Sequence, residues 1–381
     1  MKNLGIYIHI PFCKKKCRYC DFVSYSNKES CIENYINALK KEIQNRYDVE
    51  EIKDYKIDTI YIGGGTPSLI DAKYIEDILQ TIRAKFNVLE CCETTIEVNP
   101  GSATEEKLKR YIEIGINRLS IGMQSTDDNI LKEIGRIHTY EEFLTTYNNA
   151  RKVGFKNINV DLMLGLPNQT MEILQQSINK TIELKPEHIS VYSLILEDNT
   201  PLKIDYENNK IELPDEELER KMYWMVKKTL EKNNYKHYEI SNFAKDGFES
   251  KHNMNCWNQH DYLGFGLASH SYFKAKRYCN TNNLEGYIKN IKDNNIEANV
   301  EIQEVQNEED MKKEFMLLGL RKIDGIDIQE FKNRFIENPI FKFHNELEKL
   351  SNEGLVEIDL DRIRLTYKGL DLANIVWEEF V

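Results

Sequence analysis

No stretch of this 381-residue chain stays apolar for the roughly 20 residues that a bilayer-spanning helix requires, although aliphatic and aromatic residues make up 41% of it. The apolar material is spread throughout, enough for one large core plus a smaller domain on a soft guide of about 150 residues per unit. A secretion signal is not expected either. The apolar start LGIYIHIPF is too short to span, has no small-residue cleavage site and runs straight into cysteines, so it reads as a buried strand. The expectation is a cytoplasmic protein, whose cysteines stay reduced. Excess positive charge is absent as well: the net charge of −12 argues against wholesale phosphate-backbone binding, so nucleic acid is not expected as the partner.

A second C-x2-C pair is the last absence. Structural zinc sites usually pair two such knuckles, whereas here PFCKKKCRYCDF carries Cys13, Cys17 and Cys20 with gaps of three and two residues and nothing follows to complete the set. Three thiolates on a loop after a strand suit three irons of a [4Fe-4S] cube, with the fourth iron open to a small molecule. Cys31, Cys91, Cys92 and Cys279 are scattered and read as buried apolar thiols.

From residue 4 to about 195 a β-rich apolar run, a capped turn and an amphipathic stretch recur. The runs LGIYIHI, IDTIYIGGG, TTIEVNP, INRLSIGMQ, KNINVDLMLG and HISVYSLIL predict six parallel strands. Ser68, Ser102 and Ser125 are the predicted helix caps, and Gly115 and Gly154 close helices before strands four and five. This alternation gives an α/β fold, either doubly wound or curled. The unusual residues lie at the C-terminal ends of five consecutive strands, which favours a partial (β/α)6 TIM-type barrel over an open sheet with one switch point. The expected organisation is a barrel domain over residues 1–200 and a linker and site-covering region over 201–300. A smaller C-terminal α+β domain over 301–381 ends in a winged-helix-like unit. NTPLKIDYENNKIELPDEEL, with Pro201 and Pro214, marks the boundary, and 235–287 reads as irregular and aromatic-rich.

C-x3-C-x2-C followed by GGGTP resembles the radical S-adenosylmethionine superfamily. There the methionine end of S-adenosylmethionine chelates the open iron, and a donated electron splits the sulfonium to a 5′-deoxyadenosyl radical. YIHIPFCKKKCRYCDF, IGGGTPSL, EVNPGS, RLSIGMQS, GRIHT, DLMLGLP, HNMNCW and NTNNLEGYI together are similar to a narrower family, spanning strand one to the C-terminal winged region. It comprises the oxygen-independent coproporphyrinogen III oxidases and their relatives, the heme chaperones of the HemW type.

The resemblance implies that Cys13, Cys17 and Cys20 hold the cluster. It implies S-adenosylmethionine contacts at Tyr7, Tyr19, Gly64, Gly65, Thr66, Glu97, Gln124, Arg136 and Asp161. Glycines 63 to 65 suit close backbone approach to the cofactor, and Arg136 suits a bidentate carboxylate pair. His9 is read either as lining the site or as a buried, hydrogen-bonded imidazole. Oxidases of the family carry a fourth cysteine two positions after the third and a longer leading segment, where this chain has Phe22 and twelve residues before Cys13. Both departures imply the chaperone branch, whose HNxxYW signature matches HNMNCW with His252 as the candidate heme-iron ligand and Cys256 in place of tyrosine.

The implied function is a heme chaperone that delivers heme to client hemoproteins and retains a [4Fe-4S] cluster and S-adenosylmethionine. The runner-up is the oxidase, which decarboxylates propionates to vinyls, and a third reading is another radical enzyme acting on a tetrapyrrole. The implied partners are heme, respiratory client hemoproteins, an electron donor, a membrane met peripherally through clients, and a second copy of the chain. Whether the chain is an enzyme, whether it holds one S-adenosylmethionine or two, and whether His252 or Cys256 meets iron stay open at the level of sequence.

Overall fold

The six apolar runs become β1 (Lys2–Ile10), β2 (Tyr55–Gly64), β3 (Val88–Val98), β4 (Arg118–Gln124), β5 (Ile158–Leu164) and β6 (His188–Ser193) in a computed structural model, which describes residues 2–49 and 52–381. Each strand pairs in parallel with the next. Parallel neighbours need a crossover, and the helices Ile32–Val49, Ala72–Lys85, Glu105–Glu113, Tyr140–Val153 and Met171–Glu183 supply one per connection. Their apolar stripes face the sheet: Ile75, Ile78, Leu79 and Ile82 follow helical spacing and are buried. Strand β4 is buried along its whole length, as a covered parallel strand should be. The result is the expected α/β partial barrel, with the loops that follow the strands gathered at one end.

The helix caps lie later than predicted. Asp71, Thr104 and Asp127 accept the first-turn amides. The predicted serines instead brace the turns, Ser68 Oγ meeting Ser102 Oγ at 2.6 Å and Ser125 Oγ accepting from Asp127 N. A Ser or Thr followed three residues on by an acid recurs in these turns, so sequence spacing alone cannot choose the register. Gly115 and Gly154 do adopt the left-handed conformation at helix ends. Among the scattered cysteines only Cys92 is buried; Cys91 is exposed and Cys31 and Cys279 half-buried. Cys91 and Cys92 are neighbours on β3, and alternation sends them to opposite faces.

Residues 201–300, expected as linker and cover, enlarge the sheet. Pro201 occupies the first turn of a helix, Pro201–Glu207, where its missing N–H costs nothing. Beyond it come β7 (Lys236–Glu239), β8 (Asn242–Ala244), β9 (Tyr262–Phe265), β10 (His270–Phe273), β11 (Lys276–Asn280) and β12 (Val300–Val305). The full order is β12-β11-β10-β9-β1-β2-β3-β4-β5-β6-β8-β7. Strand β9 runs parallel to β1, Tyr7 opposite Gly264, which brings the far end of this segment against the first strand. Strands β7 to β11, of three to five residues each, are too short to show a period, which is why 235–287 read as irregular.

The C-terminal part follows its prediction. Helices Ile328–Phe335 and His344–Asn352 pack with β13 (Ile326–Asp327), β14 (Val356–Ile358) and β15 (Arg362–Leu365) in a three-stranded antiparallel sheet. Phe315, Phe331, Phe335, Phe343 and Phe380 form its separate core. A bridge between Glu239 and Lys322 docks it on the edge strand β7. No helix among the described residues is long and apolar enough to cross a membrane.

Candidate functional site

The loop after β1 and the turn after β2 are knitted together by backbone. Cys13 N–H donates to Tyr25 O at 3.0 Å, Gly65 N–H to Ile10 O at 2.9 Å and Thr66 N–H to Phe12 O at 2.8 Å. Gly64 adopts φ +107°, and a Cβ there would fall 2.5 Å from the His9 ring; at Gly65 a Cβ would meet the Ile10 and Phe12 carbonyls at 2.9 Å. Only glycine permits this approach.

Cys13, Cys17 and Cys20 line a cavity of about 430 Å3 at the C-terminal ends of the strands, together with Tyr19, Gly64, Gly65, Thr66, Glu97, Gln124, Arg136 and Asp161. Residues from the loops or ends of five strands thus converge, as the motif positions predicted. All three sulfurs receive hydrogen bonds: Cys13 from Thr66 Oγ1 at 3.4 Å, Cys17 from Arg136 Nη1 at 3.7 Å and Cys20 from the Phe22 backbone. Arg136 is itself held by Gly122 O at 2.6 Å and Asn99 Oδ1 at 3.0 Å. Gln124 sits at the end of β4 with φ +66°, a conformation non-glycine residues adopt at a cost and which here turns the chain into the cavity rim.

Tyr7 is placed elsewhere. It lines an adjoining chamber of about 550 Å3 with His9, His252, Cys256, Tyr262 and His270, because it lies three residues back from the end of β1 and faces β9 and the helix Lys251–Trp257. Asp21, Phe22 and Tyr61 border both spaces, and Phe22 is 63% exposed. His9 both lines this chamber and spends its ring nitrogens, Nδ1 on Tyr7 Oη at 3.0 Å and Nε2 on Val23 O at 2.8 Å, so it acts as a brace for the cysteine loop.

His252 is buried, 7% exposed, and held from three sides. The Glu93 carboxylate accepts the backbone N–H groups of Lys251 and His252 at 3.2 Å each. Thr59 Oγ1 lies 3.0 Å from Nδ1, and the Tyr61 ring stacks on the imidazole at 5.3 Å and 29°. Burial, with the nearby Arg118 charge, lowers its pKa to about 4, so the ring is neutral at physiological pH. Cys256, one helical turn on, faces the same chamber, and burial pushes its thiol up to about 12.

The Radical SAM superfamily model matches residues 7–180 and the HemN C-terminal domain model residues 306–372. The heme chaperone HemW of Lactococcus lactis subsp. lactis (strain IL1403) is 37% identical over 100% of this chain and 98% of its own length. HemW of Bacillus subtilis (strain 168) is 38% identical over 98% of each. The chain belongs to the HemW family of radical S-adenosylmethionine proteins. Its fold is that of coproporphyrinogen III oxidase (HemN) from Escherichia coli, a radical SAM enzyme, with a TM-score of 0.86 at 23% identity, covering 100% of this chain and 90% of that one.

Membership of the superfamily implies a [4Fe-4S] cluster and S-adenosylmethionine, and the cavity residues of this HemW relative fit both. Three soft donors share one wall. Burial pushes the Cys20 thiol up to about 11, with the Cys17 sulfur adding to it, so a cation is needed to hold Cys20 as a thiolate. Side-chain donors already point at Cys13 and Cys17, as they do at cluster sulfurs generally. The acidic side of the cavity comes from Glu97 and Asp161. Glu97 accepts from Tyr61 Oη at 2.9 Å and Gly64 N at 3.1 Å; Asp161 accepts from Asn159 Nδ2 at 2.7 Å and Ser120 Oγ at 3.1 Å.

Burial, and then the Asp161 charge, raise Glu97 from 4.5 to about 7. A raised carboxyl pKa means the folded protein binds more protons than the unfolded chain between those values, so stability falls as pH rises through that window. Glu97→Gln in the ligand-free protein is therefore expected to raise Tm at pH 8 and to change it far less at pH 5, measured by thermal denaturation. An equal effect at both pH values would contradict the shift.

Sequence reasoning did not single out Tyr61, Ser120, Asn99 or Tyr192, all of which line the cavity. For Tyr61 a signal was present: it lies two residues before Gly63, on the same strand face.

Proposed function

We propose that this protein binds heme in the chamber beside the cluster cavity and hands it to client hemoproteins. The observation that carries this reading is His252, a neutral imidazole fixed by Glu93, Thr59 and Tyr61 before any ligand arrives. Iron-binding histidines ordinarily donate their second ring N–H to an oxygen acceptor. Thr59 Oγ1 provides that acceptor at Nδ1, leaving Nε2 as the ligand atom. Cys256, at i+4 on the same helix, offers a second soft donor to the same space.

Cys13, Cys17 and Cys20 are the cluster ligands. Tyr19, Gly64, Gly65, Thr66, Glu97, Gln124, Arg136 and Asp161 hold S-adenosylmethionine, with Arg136 on its carboxylate and Glu97 on an amine or ribose hydroxyl. Tyr7 belongs to the heme chamber. Cluster and cofactor supply one-electron chemistry when bound; the chain orients them, keeps Glu97 and Asp161 facing them and separates them from heme by Tyr61 and Phe22. Residues 1–200 are the radical SAM unit, 201–300 complete the heme chamber and 301–381 form the winged C-terminal domain. The protein works in the cytoplasm with respiratory clients met at the membrane surface and with an electron donor, as a monomer or with a second copy.

The test is a pair of assays on full-length protein with its cluster reconstituted. Heme titration should give saturable, stoichiometric binding with a ligand-field spectrum. Anaerobic incubation with coproporphyrinogen III, S-adenosylmethionine and a reductant should yield no protoporphyrinogen. Robust product formation would assign the chain to oxidative decarboxylation instead.

A further inference from the structure

One face of β2 touches both ligand spaces. Side chains alternate along a strand, so Thr59, Tyr61 and Gly63 share a face. Thr59 meets His252 Nδ1 and the Tyr61 ring stacks on the same imidazole. The Tyr61 hydroxyl donates to Glu97 Oε1 at 2.9 Å, and a Cβ at residue 63 would fall 2.9 Å from that carboxylate, so glycine there makes the room Glu97 occupies. Glu97 Oε2 accepts Gly64 N–H, which ties it to the glycine-rich turn. Behind Tyr61 stands its cross-strand neighbour Tyr7, stacked at 6.3 Å and 25°. A residue that forms the wall between two cavities, hydrogen-bonded into one and stacked into the other, cannot shift for one ligand without the other sensing it.

We propose that Tyr61 couples the two sites, so that S-adenosylmethionine held at Glu97 tightens heme binding at His252. The inference rests on the heme reading given above and adds the residue and the sign of the coupling. Glu97 uses two of its roughly four acceptor positions on Tyr61 and Gly64. A ribose hydroxyl or ammonium on the remaining positions fixes the carboxylate, which fixes the hydroxyl that donates to it, and with it the plane of the Tyr61 ring. His252 then rests against one stacking surface, and part of the ordering cost of heme ligation has been met before heme arrives. Linkage makes the effect mutual: heme must tighten S-adenosylmethionine by the same factor.

The experiment titrates heme into full-length, cluster-reconstituted protein with and without saturating S-adenosylmethionine. Wild type is expected to bind heme about fivefold or more tightly with the cofactor present, within the usual span of coupling between sites. In Tyr61→Phe, which keeps the ring and removes the hydroxyl, that ratio should fall to within about twofold of unity. The ratio is taken inside each variant, so changes in either separate affinity do not enter it. Equal ratios in the two proteins, or no effect in wild type, would overturn the proposal.

A second measurement needs no heme. Carbethoxylation of His252 by diethylpyrocarbonate, mapped by mass spectrometry, should be slowed by S-adenosylmethionine in wild type and not in Tyr61→Phe. No protection in wild type overturns the coupling, whereas protection in a protein that binds no heme supports the coupling and removes the heme reading alone.

Discussion

Cys17→Ala protein, reconstituted anaerobically with iron and sulfide, is expected to keep its fold and lose its iron-sulfur chromophore. Cys17 is the middle cysteine of the loop after β1, proposed above as a cluster ligand, and the sulfur that Arg136 Nη1 approaches. Two remaining thiolates leave two irons of the cube without protein ligands, and soft sulfur is what the site offers. The fold should survive because the loop lies outside the main core; its anchors are the backbone bonds of Cys13, Gly65 and Thr66 and the ion pair from Arg18 to Glu133. The cost to stability should therefore stay near the ±0.5 kcal/mol typical of surface positions. Iron and sulfide analysis with absorbance checks the first half, and thermal denaturation the second. Cys91→Ala, at an exposed cysteine on β3 distant from the cavity lining, serves as the control and should load normally. Wild-type iron content in Cys17→Ala would remove this residue from the ligand set.

His252→Ala is expected to weaken heme binding at least tenfold, equivalent to about 1.4 kcal/mol or more, and to change the spectrum of what still binds. The substitution removes the imidazole, leaves Thr59 Oγ1 without its ring partner and strips Tyr61 of its stacking surface. Cys256→Ala in parallel distinguishes the two donors on the helix. If the thiol is the ligand, its loss alters the spectrum and that of His252 does not. An unchanged spectrum and affinity in His252→Ala would take this imidazole out of the heme site.

Much of the candidate cluster site was legible because its residues are contiguous or lie near the ends of strands with strong apolar periods. C-x3-C-x2-C, GGGTP, Glu97 and Gln124 each lie at or just past the end of a β run and Asp161 lies within β5, and a parallel sheet brings such positions together whatever the details of its curvature. Eight of the nine residues expected around S-adenosylmethionine line one cavity. Tyr7 does not, since strand alternation says which face a residue takes but not how far along the barrel axis the cavity reaches. The helix caps slipped because several Ser, Thr and Asp residues in each turn could serve, and only the backbone path selects among them.

The sequence by itself determined the parallel α/β core, the three-cysteine motif, the winged C-terminal unit and the candidacy of His252, because each is written in local periodicity, spacing or a contiguous motif. The tertiary structure alone decided that a separate space lined by His252 and Cys256 adjoins the cysteine cavity and that Tyr61 borders both. That arrangement depends on β9 pairing beside β1 and on residue 252 meeting Thr59 and Tyr61, contacts between segments that stand far apart in the chain. Short strands carry too little period to announce such pairing, and it is settled by the burial and hydrogen bonding of the whole sheet.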